Sequence, residues 1–307
     1  MGPDAFAGLS RVIRLRAAER AREAILAIPD GVYEHSEPVR GGGPIVVRIT
    51  IASDRATVDF TGTGPVHAAC LNATPAIVTS AVVYLLRVLV DEDLPLNEGL
   101  LEPVTLHIPR GMLNPQFAQD AVACPAVAGG NVEISQLVVE SLLTALGRCA
   151  QSQGTMNNVV FGNETFGVYE TLGGGCGAGP GFAGASAVHS HMTNTALTDV
   201  EVIEQRFPVR IERCEVRRGS GGSGKWRGGE GLVRVYQFLE PVRVGVLRGR
   251  TGAPRGLCGG GAGQEALAFQ GEPGARNSPV PSETFPTGRL TILRVETPGG
   301  GGYCSPI

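Results

Sequence analysis

His189 and His191 flank Ser190 in the run Val188-His189-Ser190-His191-Met192-Thr193-Asn194-Thr195. On an extended segment side chains repeat every second residue, so both imidazoles face one side. Two histidines so placed are half of a metal site, which needs a third protein ligand, often a carboxylate or another histidine. Asp199, Glu201 and Glu204 follow closely in the sequence. The competing reading is that both histidines hydrogen-bond loop backbone, and spacing alone does not choose between the two.

Two glycine-rich stretches, residues 173–184 and 219–231, bracket this pair. Glycine lets another backbone or a ligand approach closely. The successive N–H groups of Gly173, Gly174, Gly175, Cys176 and Gly177 could therefore cradle an anion. Neither stretch is a Walker loop, since no Gly-Lys-Ser/Thr follows the first and Lys225 of the second precedes Trp226. No base stands beside Cys176 to make it a nucleophile. Arg217, Arg218, Lys225 and Arg227 offer cations to a carboxylate or phosphate; their plainer reading is a solvated basic turn. Trp226 reads as a packing anchor. Thr198-Asp199-Val200-Glu201 fits a capping box, with Leu197 and Val202 as its hydrophobic staple. Glu201 is thereby explained as a helix cap, and it stands with Arg227 as a secondary site candidate.

The elements that must position these groups follow from periodicity. Residues 4–28 carry apolar positions at steps of three and four (Phe6, Leu9, Ile13, Ala17, Ala21, Ala24, Ile28), which predicts an amphipathic helix. Residues 45–51 and 57–60 alternate as strands about a Ser53-Asp54-Arg55 turn, and 104–108 alternates again. Residues 76–90 are apolar nearly all round, as in a buried helix. Asn131 is placed to N-cap a helix over 132–146 that stops at Gly147. Strands are expected at 155–162, 166–171, 232–238, 242–247 and 290–295, with a short helix at 199–206. The Gly- and Pro-rich residues 252–288 read as irregular loop, and no internal repeat is present.

With 42% hydrophobic and 18% charged residues, the chain is neither disordered nor a coiled coil. Its 307 residues suffice for one large or two medium domains. Gly 45 and Pro 21 favour tight turns and short strands. The fold class is α+β: a strand-rich mixed fold with a few core helices and long glycine-rich loops. A net charge of −3 argues against nucleic acid or an anionic membrane as partner. The seven cysteines form no C-x-x-C, so reduced thiols are expected rather than a disulfide or zinc framework. Residues 76–90 include Arg87 and are too short to span a bilayer. The opening residues, with Asp4 and early arginines, do not read as a signal peptide. A cytoplasmic protein is the expectation.

The order of motifs goes further. DFTGTGPV, LNATPAIVTSAVVYLLR, DLPLNEGLLEPV, AVAGGNVEISQ, GGGCGAG, VHSHMTNTALTDVEVIE, SGGSGKWRGGEG and TPGGGGY occur in this order. The sequence so resembles the hydantoinase B/oxoprolinase family, which includes 5-oxoprolinases, N-methylhydantoinase B subunits and α-type subunits of acetone carboxylases. The resemblance implies a hydantoinase B-like fold and ATP-coupled opening of a small cyclic amide, such as 5-oxoproline to glutamate. It implies a hydantoinase A-type partner, resembling an actin-like ATPase, that supplies ATP and Mg2+. Phosphorylating the amide oxygen would weaken the C–N bond, and the B-type chain would host attack by water. Within the matched motifs, His189, His191, Asn194, Thr195, Gly173, Gly174 and Gly175 are the expected pocket lining, and no metal ligand is assigned.

The sequence also departs from the family. B subunits carry a longer N-terminal portion with His/Asp-rich segments associated with a divalent metal, and the chain ends on YCSPI. The resemblance implies a helix over 1–28 that is a remnant of the family's middle region, followed by a C-terminal domain over 29–307. The chain is then expected to work with the N-terminal half of a B subunit, as an oligomer, and to be inactive alone. A non-catalytic remnant or assembly subunit is the alternative, and within the family an N-methylhydantoinase or acetone carboxylase α-type subunit is another.

Overall fold

The computed structural model describes residues 2–272, 278–280 and 284–306. It is a mixed α/β protein that divides into two compact units, Met1–Leu146 and Gly147–Ile307. Among the described residues, no helix is long and apolar enough to cross a membrane.

The first unit is built on a sheet of strands β1 (Gly31–Glu37), β2 (Ile45–Ala52), β3 (Arg55–Asp59) and β4 (Val104–His107), in that order. β3 and β4 run parallel and the other pairs antiparallel. Ile45, Val47, Ile49 and Ile51 of β2 alternate into the core, as a half-buried strand requires. Helices α2 (Pro75–Val90) and α3 (Ser135–Ala145) pack together, and α3 also packs on β1 and β2. Helix α1 (Pro3–Leu26) buries Ala17, Ala18, Ala21 and Ile25, while residues 2–12 are exposed throughout. Helix α1 packs on α2 and β3 within this unit.

Two details differ from the sequence reading. β1 is a strand that was not expected; its residues are mostly exposed and polar, so alternation does not reveal it. Asn131 lies inside a π-helical turn (Gly130–Ile134) that leads into α3, and its carbonyl accepts the Ser135 hydroxyl. It therefore does not cap.

The second unit holds two antiparallel sheets. One contains β7 (Val209–Arg217), β8 (Gly231–Phe238), β13 (Ile292–Glu296), β10 (Leu267–Gly271) and β11 (Ser278–Pro279), neighbours in that order. The other contains β6 (Gly167–Glu170), β5 (Val159–Gly162), β9 (Val242–Val246) and β12 (Phe285–Thr287). Their apolar side chains form one cluster, with Phe161 set 5.2 Å from Phe238 and 5.7 Å from Tyr236 between ring centres. Helix α4 (Val200–Arg206) contributes Ile203 to that core. β10 and β12 fall where irregular loop was expected, although residues 273–277 and 281–283 of that segment lie outside the described residues. β7 was also unforeseen: a register shift between Ile211 and Arg213 breaks its alternation. Residues 155–158, read as the start of a strand, are instead buried loop.

Candidate functional site

The glycine stretches pack against one another, main chain on main chain. Gly174 N–H donates to Val188 O at 3.0 Å, Gly175 to Pro298 O at 2.8 Å, Cys176 to Ala185 O at 2.9 Å and Gly177 to Ser152 Oγ at 2.9 Å. Of the N–H groups expected to cradle an anion, those of 174–177 are thus already spent on protein acceptors. The stack continues as Gly229 N–H donates to Cys176 O and Gly300 N–H to Gly229 O. A Cβ on Gly300 would run into the carbonyl of Cys176. Glycine here permits backbone contact, and the contact leaves no room for a ligand.

The second stretch does hold an anion, and it is the chain's own. The Glu230 carboxylate accepts from Ser220 N–H at 2.6 Å, Gly221 N–H at 3.0 Å and Ser220 Oγ at 3.2 Å. Burial opposes its ionisation, but these N–H donors outweigh burial and keep it below the usual carboxylate range. Of the basic residues near this stretch, Arg217 is buried, with Nε 2.8 Å from Glu296 and Nη1 on the carbonyls of Glu265 and Thr297. That removes it from a solvated turn. Arg227 is exposed, 4.0 Å from Glu230. Trp226 anchors as expected, 5.9 Å from Tyr303 and 4.7 Å beneath Lys225 Nζ.

Beside the stack lies a polar layer that the sequence did not announce. Residues 151–158 (Gln-Ser-Gln-Gly-Thr-Met-Asn-Asn) are all buried. Gln153 Nε2 donates to Ser190 Oγ at 3.0 Å, and Asn157 Nδ2 donates to Gln153 Oε1 at 2.9 Å. Arg250, also buried, reaches Gln151 Oε1 at 3.0 Å and the Gln153 carbonyl at 3.3 Å. Ser190, the residue between the two histidines, is therefore held by this layer. Burial first, and the Arg250 charge second, push His191 down to about 4. Burial likewise lowers His189, whose Nδ1 is buried without a hydrogen-bond partner among the described residues. Near neutral pH both imidazoles are neutral, the form that can accept a proton.

A buried ion pair fastens the other end of this loop. Glu170 Oε1 accepts from Arg234 Nη2 at 3.0 Å and from Thr198 N–H at 3.2 Å, and Oε2 accepts the Tyr236 hydroxyl at 2.6 Å. Arg234 Nη2 also donates to the Thr198 carbonyl at 3.1 Å. Glu170 and Arg234 side chains are fully buried. Thr195 is exposed but shares a 2.8 Å hydroxyl contact with Thr171, and Asn194 is exposed. The structure thus joins His189, His191 and Thr195 to one pinned loop. Glu201 sits exposed on the first turn of α4. The capping reading needs correction: Asp199, not Thr198, is the cap, accepting from Glu201 N–H at 2.9 Å and Val202 N–H at 3.4 Å. Thr198 is instead bound through its backbone to Glu170 and Arg234.

Among the described residues, no group of three or more His, Cys, Asp or Glu side chains could hold a metal ion. Among the described residues, no third ligand is brought to His189 and His191.

The fold and these motifs define a family. The family model of hydantoinase B/oxoprolinase matches residues 1–306. The chain is 42% identical to 5-oxoprolinase 1 of Arabidopsis thaliana, over 97% of this chain and 24% of that protein. It is 43% identical to 5-oxoprolinase of Dictyostelium discoideum, over 85% of this chain and 21% of that protein. The ATP-dependent caprolactamase from Pseudomonas jessenii has the same fold, with TM-score 0.81 at 21% identity over 99% of this chain and 57% of that one. The chain belongs to the hydantoinase B/oxoprolinase family. It spans about a quarter of the length of the two 5-oxoprolinases.

Proposed function

We propose that this chain contributes the ring-opening part of an ATP-dependent cyclic-amide hydrolase of the 5-oxoprolinase type. The overall reaction is 5-oxoproline, ATP and water to glutamate, ADP and phosphate. The observation that carries the reading within this chain is the loop of His189 and His191, fixed to a buried polar layer with its imidazoles held neutral. A neutral, positioned imidazole can take a proton from water as it attacks a carbonyl carbon. In this reading His189 is the base, because its Nδ1 has no hydrogen-bond partner among the described residues, and Thr195 and Asn194 line the open side. Gly173, Gly174 and Gly175 form the floor rather than contact phosphate.

The glycine stretches do not fit a nucleotide, since the N–H groups of 174–177 are bonded within the chain. The reading therefore assigns ATP and Mg2+ to a hydantoinase A-type partner. It assigns any divalent metal to a segment homologous to the remaining length of the 5-oxoprolinases. The protein would act in the cytoplasm as part of an oligomer with these chains. Hydantoins are in-family alternatives to 5-oxoproline as substrate. The test is ATP- and 5-oxoproline-dependent glutamate release by this chain, alone and with a hydantoinase A-type subunit and the N-terminal half of a B subunit. Release in the mixture but not from any subset is expected. No release from folded components in any mixture, with hydantoin also inert, overturns the reading.

A further inference from the structure

Asn158 is where the polar layer is left open. Its side chain is fully buried, and neither Oδ1 nor Nδ2 has a hydrogen-bond partner among the described residues. Exchanging the two atoms by turning the amide over alters nothing, because both ends are unpaired. A buried donor and acceptor left unmade are costly, and such groups in native proteins call for an explanation. The neighbouring amides make the contrast plain. Asn157 spends Nδ2 on Gln153 Oε1 and the Leu172 carbonyl, and Gln151 Oε1 takes both Arg250 and the Arg255 N–H. Even the Asn158 main-chain carbonyl is used, accepting Leu247 N–H at 2.9 Å.

The strand register says what stands beside it. Val159 pairs with Glu170, so Asn158, just before β5, and Thr171, just after β6, lie at the same end of that strand pair. Thr171 there carries the hydroxyl that meets Thr195, the loop residue already assigned to the open side. The unpaired carboxamide therefore belongs to the same end of β5 and β6 as the histidine loop.

Resting on the cyclic-amide reading above, we propose that the Asn158 carboxamide is the group that recognises the ring amide of the substrate. A carboxamide offers one acceptor and one donor side by side. A lactam or hydantoin ring forces its amide cis, so that N–H and C=O lie on one edge and meet the carboxamide in two parallel hydrogen bonds. An open-chain amide is trans, with N–H and C=O on opposite edges, and can make one of the two. The ring-opened product has an amine and a carboxylate and no such edge. The site so holds the ring before cleavage and lets the product go.

The experiment measures binding of 2-pyrrolidinone and N-methyl-2-pyrrolidinone to the full chain and to its Asn158→Leu variant, by ligand-observed NMR and calorimetry. The N-methyl ring keeps the carbonyl and loses the donor. The proposal expects the wild type to bind 2-pyrrolidinone, and the N-methyl ring to bind about tenfold more weakly or worse, the scale of one lost hydrogen bond. It expects Asn158→Leu to bind neither while melting no lower than wild type, since removing both unpaired atoms relieves a cost. Equal binding of the two rings, undiminished binding by the variant, or no binding by the wild type overturns it. So does a lower melting temperature of Asn158→Leu, which would expose a structural partner. Turnover in the assembled mixture with unchanged KM for Asn158→Leu would sink the recognition role and spare the cyclic-amide reading. Asn158-dependent ring binding without turnover in any mixture would do the reverse.

Discussion

The glycine stack and the loop from Val188 to Thr198 lie side by side in the second unit, and they spend their polar groups in opposite ways. In the stack, main-chain N–H and C=O groups satisfy one another, and even the nearby carboxylate of Glu230 is consumed by Ser220 and Gly221. In the loop and the layer beneath it, side chains do the holding, through Gln153, Arg250, Glu170 and Arg234. There, His189 Nδ1 and the Asn158 amide remain unpaired among the described residues. Glycine frequency therefore marks rigidity in this molecule. In the proposed reading, the unspent atoms of His189 and Asn158 mark the place where a ligand has something to bind.

The comparison breaks most severely at the stack. Gly300→Ala places a Cβ against the Cys176 carbonyl, backbone against backbone, with nothing flexible to move. It should cost more than about 4 kcal/mol and abolish the cooperative melt. Gly167→Ala, which meets nothing within 4 Å, is the control and should stay within about 1 kcal/mol. Similar melting of the two variants would refute the packing role. Next comes the clamp. Glu170→Gln leaves Arg234 buried without its counter-charge and should cost about 3–5 kcal/mol. Adding Arg234→Met should recover part of that loss, and a double variant worse than the single one would contradict a paired origin.

The clamp and the polar layer show how far the sequence could be read. Residues 76–90 and 45–51 were legible because an apolar helix or an alternating strand declares itself locally; they appear as Pro75–Val90 and Ile45–Ala52. Gln151 to Asn158 was not, since a polar run without period reads as surface. Its burial depends on Arg250 and Arg255, about a hundred positions away. Glu170 and Arg234, 64 positions apart, carry no local signal either. His189 and His191 were found by type and spacing. Their neutral state was not, because desolvation is a property of the fold.

That neutral state gives a pH test of intermediate size. His191 titrates at about 4 when folded against 6.5 in the unfolded chain. Below pH 6.5 the unfolded state binds a proton that the folded state refuses. The stabilisation is therefore full above about pH 6.5 and is lost as pH falls toward 4, by about 3 kcal/mol in all. Subtracting the stability–pH curve of His191→Asn from that of wild type should isolate this slope; parallel curves would refute the burial of His191. The smallest effect sharpens the loop's exit. Asp199→Ala should lower stability by about 1 kcal/mol through the lost cap, with Thr198→Ala close to neutral. The reverse ranking would restore Thr198 as the cap.

The most direct test of the division between stack and loop is to measure turnover and melting temperature together for His189→Ala in the assembled enzyme. The account predicts a fall of about a hundredfold in kcat, the scale of a lost general base, with the melting temperature essentially unchanged. Full activity at an unchanged melting temperature would contradict it.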